Sequence, residues 1–237
     1  MKRIIGIAPA SFLADREESC AKDYYKLVNN YVKRVSEAGC LPICLAPSDN
    51  WLDEDALALC DGFVVQGGAE FYPYHFQIIH HAVTTGKRYL GICLGQQLIY
   101  VYFELKRILE EKGYEGDLVK AMCNYIADQP EGFTLQKRVQ GHCNEYPKRG
   151  CEDEAKHGVD IAHGTLLHRV LGRDSIRICS FHSLCTPPEQ TLVRINAVSS
   201  LGDGVVEGTE HGDNILGVQG HPELDGLLPE LFSFLAE

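Results

Sequence analysis

Apolar residues fall along this chain in two alternating rhythms: short unbroken runs, and longer stretches where they return every three or four positions. The runs read as buried strands and the longer stretches as amphipathic helices. A strand is expected over 4–8, then a polar loop to 18. A helix over 21–38 follows, with Tyr24, Leu27, Val28, Tyr31, Val32 and Val35 on one face and Gly39 as its stop. Next come a strand at 41–46, a short helix at 52–59 capped by Asp49 or Asn50, and a strand from 61 running into Gly67-Gly68. The helix at 76–85 ends at Gly86, 89–92 is another strand, and helical spacing returns from 98 to about 113 and over 117–126.

From 129 to 156 the periodicity fades and polar residues dominate, as in a surface excursion that could cover a site; Lys137-Arg138 reads there as solvent contact. Beyond it lie a strand at 159–161, a helix at 165–171 closed by Gly172, and a strand from 177 that ends in a polar, aromatic loop before Pro187-Pro188. Period-two alternation marks a half-buried strand at 193–199. Strands at 204–208 and 215–219 flank the turn 211–214, and a helix at 227–235 closes the chain. Strands and helices alternating at this pitch imply βαβ units and a parallel sheet. With no repeat, low-complexity segment or second domain, the expectation is one α/β domain over 1–237, carrying a helical and irregular excursion at about 103–156.

One junction in this pattern carries chemistry. The run at 89–92 passes into a helix through Gly91-Ile92-Cys93-Leu94-Gly95, which is the G-x-S-x-G nucleophile elbow with sulfur in place of oxygen. Glycines on both sides let strand and helix pass closely, while the central residue is forced into a strained turn with its side chain presented. A cysteine at a helix N-terminus meets free N–H groups and a dipole that favour thiolate. The pair Gly67-Gly68 ends the preceding strand, so both features are expected at one crevice. There the N–H groups of Gly68 and Leu94 would form an oxyanion hole.

Composition narrows the field without naming a function. A net charge of −11 and the lack of any basic run argue against nucleic acid as a partner. No segment approaches a membrane span, and the first apolar run breaks too soon for a signal peptide, so the expectation is a cytoplasmic protein without a membrane partner. The ten cysteines are scattered, with no C-x-x-C pair, and most read as small buried hydrophobes. His142, Cys143, Cys151 and His157 could be drawn as a metal site. Their irregular spacing favours a structural default, and neither a metal nor another cofactor is expected.

A nucleophilic cysteine needs a base, and the base an orienter. Among ten histidines most read as surface residues, and His80, His81 and His168 sit on predicted helices without a partner signal. His221 differs, because it follows an apolar strand and is locked beside Pro222, with Glu223 two residues on. In a strand-like His-Pro-Glu, positions 221 and 223 share a side. The carboxylate can then hold one imidazole nitrogen while the other faces the thiol.

These residues resemble a known family. Gly91-Ile92-Cys93-Leu94-Gly95-Gln96-Gln97 looks like the nucleophile motif of class I glutamine amidotransferases, and Gly217-Val218-Gln219-Gly220-His221-Pro222-Glu223 is similar to their His-Pro-Glu motif. The segments 157–161, 164–165, 171–172 and 203–207 look most like the gamma-glutamyl hydrolase branch, which includes the gamma-glutamyl-gamma-aminobutyrate hydrolases. The resemblance implies a flavodoxin-like three-layer sandwich and cleavage of a small gamma-glutamyl amide through a Cys93 thioester, with His221 moving the proton and Glu223 orienting it. It also implies that Gly67, Gln97 and the main chain around Ser180 and Phe181 hold substrate. Gln66 stands where the family usually carries proline, Gly220 where an aromatic residue is common, and the charged excursion replaces a usual Gly-Gly loop. Three readings follow: a stand-alone hydrolase, a glutaminase subunit supplying ammonia to a synthase partner, or a catalytically silent binder of gamma-glutamyl ligands. A homodimer is compatible with each.

Overall fold

A computed structural model describes residues 1–14, 23–129, 135–142, 148 and 152–237. In chain order the elements are β1 (Ile4–Ile7), β2 (Ser11–Ala14), β3 (Asp23–Lys26), α1 (Asn29–Glu37), β4 (Leu41–Cys44), α2 (Glu54–Leu59), β5 (Gly62–Val65), α3 (Pro73–Thr85), β6 (Arg88–Ile92), α4 (Leu94–Glu111) and α5 (Leu118–Ala127). They continue with β7 (Lys137–Arg138), β8 (Lys156–Ile161), α6 (Leu166–Leu171), β9 (Ser175–Cys179), β10 (Leu184–Cys185), β11 (Arg194–Ser199), β12 (Val206–His211), β13 (Ile215–Val218) and α7 (Pro229–Ser233).

Nine strands form one sheet in the order β4-β1-β5-β6-β13-β12-β11-β8-β9. The first five pair in parallel, in the order that puts the second strand of the series outermost beside the first, as in flavodoxin-like sheets. The last four pairings are antiparallel, so only β12 and β8 run against the rest, and the sheet is mostly parallel by direction. Alternation along the strands divides the core. Phe63, Val65 and Tyr89 pack with α3, α4 and α5 on one face, while Val64, Leu90 and Ile92 pack with α1, α6 and α7 on the other. Burial of both faces explains why β5 and β6 read as unbroken apolar runs.

Four expectations need correction. The predicted helix at 21–38 begins only at Asn29, and the predicted loop before it contributes β2, which pairs antiparallel with β3. The helical spacing from Tyr24 onward competes with tertiary partners that win. The Tyr25 hydroxyl accepts from the Asn50 N–H (3.1 Å), the Ala10 N–H donates to Lys26 O (2.7 Å), and the Val28 N–H donates to Gln66 Oε1 (3.0 Å). The cap of α2 is Asp53, whose carboxylate accepts from the Asp55 N–H (2.8 Å); Asp49 and Asn50 instead turn the chain with φ of 48° and 66°. Lys137-Arg138 does expose its side chains, but its backbone pairs with Leu184-Cys185. The closing helix is shorter than expected, because α7 starts at Pro229 and gives way to a 3₁₀ turn over Phe234–Ala236.

The antiparallel half is tied to α6 by a buried carboxylate. Glu210, 3% exposed, accepts from the N–H groups of Leu166 (2.9 Å) and Leu167 (3.2 Å) and from Asn196 Nδ2 (3.2 Å). A negative charge on the first N–H groups of a helix is favoured by both hydrogen bonding and the dipole. Replacing Glu210 with alanine leaves three buried donors unmatched, so Glu210→Ala is expected to lower unfolding stability by about 3 kcal/mol or more. Glu210→Gln should lose less, and urea titration of both variants measures the difference.

Candidate functional site

The site is built where β6 turns into α4. Cys93 has φ 54° and ψ −105°, a conformation that side chains rarely adopt, and its N–H donates to Val218 O (2.9 Å) on the neighbouring β13. The glycines explain why this turn is possible. Any Cβ at Gly91 would collide with the Gly95 carbonyl, and any Cβ at Gly95 with the Val65 carbonyl on β5. The Tyr89 hydroxyl pins the same junction by donating to Gly95 O (2.7 Å). Strand, turn and helix are therefore held at backbone contact distance, with Cys93 as the last residue before the helix.

His221 reaches Cys93 from the end of β13. Its N–H donates to Cys179 O (2.7 Å), and its imidazole Nδ1 lies 2.8 Å from Glu223 Oε1, with both side chains 1% exposed. The acceptor carboxylate identifies Nδ1 as the protonated nitrogen, leaving the other nitrogen for the thiol. Burial works against a charged imidazole here. The Glu223 carboxylate, Cys93 and hydrogen bonds to both outweigh it and raise the His221 pKa from 6.5 to about 10. Gly67 makes room for this approach, since a Cβ there would stand 2.8 Å from His221 Cε1 and 3.4 Å from Cys93 Cβ. The main-chain oxygen of Glu223 is held by Arg34 Nε (3.2 Å) on α1.

Above the thiol lies a cavity of about 290 Å³ lined by Gly68, Ala69, Cys93, Leu94, Gln97, Gln136, Phe181, His182, Ser183 and Leu184. The two glycines of the pair are thus placed differently. Gly68 lines the cavity beside Leu94, while the Gly67 N–H donates to the Tyr31 hydroxyl (3.2 Å). Gln97 borders the cavity, with its Nε2 donating to Leu184 O (2.6 Å) and Gln219 Oε1 (3.0 Å) and its Oε1 accepting from Gln136 Nε2. Phe181 stands 5.3 Å, ring to ring, from His221. Ser180 is not among the lining residues: its N–H donates to Ala155 O (2.9 Å) and its hydroxyl to His142 O (3.5 Å).

Sequence reasoning missed Gln136, Tyr31 and His182. Gln136 lies in the excursion, where no periodicity marked it; Tyr31 reads only as an apolar face residue; His182 sits inside the loop already singled out. Gln66, in place of the usual proline, is structural: its side chain donates to Ala8 O and accepts from the Val28 N–H, joining β5 to the start of α1. At Gly220 a Cβ would meet Ile178 Cγ2 at 2.6 Å, which leaves no space for an aromatic side chain. Other histidines depart from expectation too: His75, His142 and His182 are buried, His80 Nδ1 lies 2.9 Å from the Tyr102 hydroxyl, and His168 Nε2 lies 3.1 Å from Asp174 Oδ1. No helix among the described residues is long and apolar enough to cross a membrane.

The raised His221 pKa has a stability consequence. Below pH 6.5 both folded and unfolded chains carry the proton and the contribution is complete; it is lost as pH rises from 6.5 to about 10. In Glu223→Gln the neighbouring charge is gone. The variant should therefore lose less stability than the unaltered chain between pH 6.5 and 9, as measured by urea midpoints at each pH.

Comparisons with known proteins fit this architecture. No curated protein sequence matches the chain significantly. The glutaminase domain of Trypanosoma brucei CTPS, solved with bound acivicin, superposes with a TM-score of 0.60 at 14% identity, covering 99% of this chain and 93% of that one. PurLQS from Thermotoga maritima gives 0.55 at 15% identity, covering 99% and 98%. A glutamine amido transferase from Methylobacillus flagellatus gives 0.53 at 15%, covering 96% and 73%. At these identities the likeness is one of fold. The model of the Peptidase C26 family matches residues 3–81 and 73–223, nearly the whole sequence, and the chain belongs to the Peptidase C26 family.

Proposed function

We propose that the protein hydrolyses the gamma-glutamyl amide bond of a small substrate through a thioester on Cys93, releasing glutamate. The observation that carries this reading is the buried Cys93–His221–Glu223 arrangement opening onto one cavity, within a chain of the Peptidase C26 family. Cys93 Sγ attacks the side-chain carbonyl carbon, and the oxyanion that forms is met by the N–H groups of Gly68 and Leu94. His221 carries the proton at neutral pH and gives it to the departing amine as the C–N bond breaks. Water then attacks the thioester, His221 takes its proton, and glutamate leaves with Cys93 restored. Glu223 keeps the imidazole in the required tautomer and orientation.

The substrate's α-amino and α-carboxylate groups are assigned to Gln97 and the main chain at Phe181, with Gly67 shaping the floor. Gln136 Nε2 already donates to Gln97 Oε1, which is the bond a substrate ammonium would replace. A cavity of about 290 Å³ sits at the small end of ligand pockets and suits a gamma-glutamyl unit with a compact amine.

The second reading, a glutaminase subunit feeding ammonia to a synthase, is favoured by the likeness in fold to the glutaminase domain of Trypanosoma brucei CTPS and to PurLQS. Glutamate release from a panel of gamma-glutamyl amides, glutamine included, separates the two. The stand-alone reading expects activity from the isolated chain, reduced roughly 10³-fold or more in Cys93→Ser. Equal rates for Cys93→Ser would end the covalent mechanism, and activity that arises only with an added synthase would assign the second reading.

A further inference from the structure

Behind the cavity wall, three histidines and a glutamate converge from four separate places in the chain. His142 follows β7, His157 is on β8, His182 is in the loop after β9, and Glu207 is on β12. Their candidate ligand atoms all lie within 4.8 Å of one another. Their side chains are 0%, 10%, 1% and 0% exposed, so water has little access to any of them.

The outer nitrogen of each ring identifies its tautomer. His157 Nδ1 lies 2.8 Å from Gly158 O, His182 Nδ1 lies 3.0 Å from Leu184 O, and His142 Nε2 lies 2.9 Å from Asp203 Oδ2. Carbonyl and carboxylate oxygens can only accept, so each of these nitrogens carries a hydrogen. The inner nitrogens, His142 Nδ1, His157 Nε2 and His182 Nε2, therefore present lone pairs when the rings are neutral. They stand 3.1, 3.3 and 3.4 Å from Glu207 Oε1, and neither they nor the two Glu207 oxygens make a well-directed hydrogen bond. Four acceptors aimed at one buried point repel one another unless something positive lies between them.

We propose that His142, His157, His182 and Glu207 bind a divalent zinc ion. Three imidazoles and one carboxylate make the closed, four-ligand N/O set of a structural zinc site. Bonds of about 2.0–2.1 Å in a tetrahedron place neighbouring ligand atoms roughly 3.3–3.4 Å apart, close to the three distances to Glu207 Oε1. The ligand atoms lie within 4.8 Å of one another, so any pair wider than that edge draws inward when the ion binds. The outer hydrogen bonds to Asp203, Gly158 and Leu184 are the kind that fix ligand tautomer and direction around a metal.

The ion would also fix one wall of the cavity above Cys93. His182 lines that cavity, and Leu184 O, which accepts from His182 Nδ1, also accepts from Gln97 Nε2. Zinc would thus tie the loop at 180–185 to β8 and β12, and its role is positional.

The test reads metal binding directly and does not depend on hydrolytic activity. Chelator-treated full-length protein is titrated with Zn²⁺ by calorimetry and with Co²⁺ by visible absorption, with metal content counted by elemental analysis. The expected result is one equivalent per chain, the d–d spectrum of four-coordinate Co²⁺, and a raised thermal midpoint with zinc. Asp203→Asn should weaken binding roughly ten- to a hundredfold, and His157→Ala together with Glu207→Gln should abolish it. If the unaltered chain takes up neither ion and its midpoint does not move, the proposal is overturned. Full-affinity binding by the double variant would overturn it as well, placing the metal elsewhere. Should the double variant not fold, uptake and spectrum of the unaltered chain decide alone.

Discussion

The constraint on which the rest depends is the backbone contact among β5, β6 and α4. Gly91, Gly95 and the Val65 carbonyl meet so closely that no side chain fits between them. The helix can therefore begin directly at the end of its strand, and the residue at the junction has to take a positive φ. Cys93 accepts that strain because the parallel sheet, through the Val218 carbonyl, and the Tyr89 hydroxyl hold both sides of the turn. Everything in the candidate site is positioned relative to this point: β5 delivers Gly67 and Gly68, and β13 delivers His221.

Charge then organises what packing has placed. His221 is enclosed and would be neutral if burial alone decided, yet Glu223 on one side and Cys93 on the other keep it protonated well above neutral pH. Arg34 and Asn30 from α1 hold the Glu223 main chain, so the opposite helical layer also steadies Glu223 beside His221. The antiparallel half of the sheet follows the same logic with different ions: Glu210 anchors α6, and Glu207 gathers three histidines behind the cavity. Glu210 is matched to donors, as a low-dielectric interior demands, and the zinc ion proposed above would do the same for Glu207.

Much of this was legible in the sequence because it is local. The glycine spacing around Cys93, the His-Pro-Glu run and the unbroken apolar strands each express a constraint within a few residues. Helix ends at Gly86 and Gly172 were equally readable, both having positive φ. What could not be read depends on distant partners. The start of α1 is decided by Tyr25, Asn50 and Gln66, residues up to 41 positions apart, and the pairing of Lys137-Arg138 with Leu184-Cys185 joins two polar stretches without periodicity. His142 and His157 were noticed together, but beside Cys143 and Cys151, which lie outside the described residues. Their partners among the described residues, His182 and Glu207, share no motif spacing with them. Gln97 and Phe181 line the cavity and Ser180 does not, because its N–H and hydroxyl are directed at the distant carbonyls of Ala155 and His142.

The central claim is that Cys93, alone among ten cysteines, is an activated nucleophile facing a gamma-glutamyl pocket. Incubation with a glutamine-analogue electrophile, followed by intact-mass measurement and peptide mapping, tests it most directly. The account predicts a single adduct per chain, located on Cys93, slowed by free gamma-glutamyl amides and absent in His221→Ala. Labelling spread over several cysteines, or a Cys93 that stays unmodified while the folded chain is intact, would contradict it.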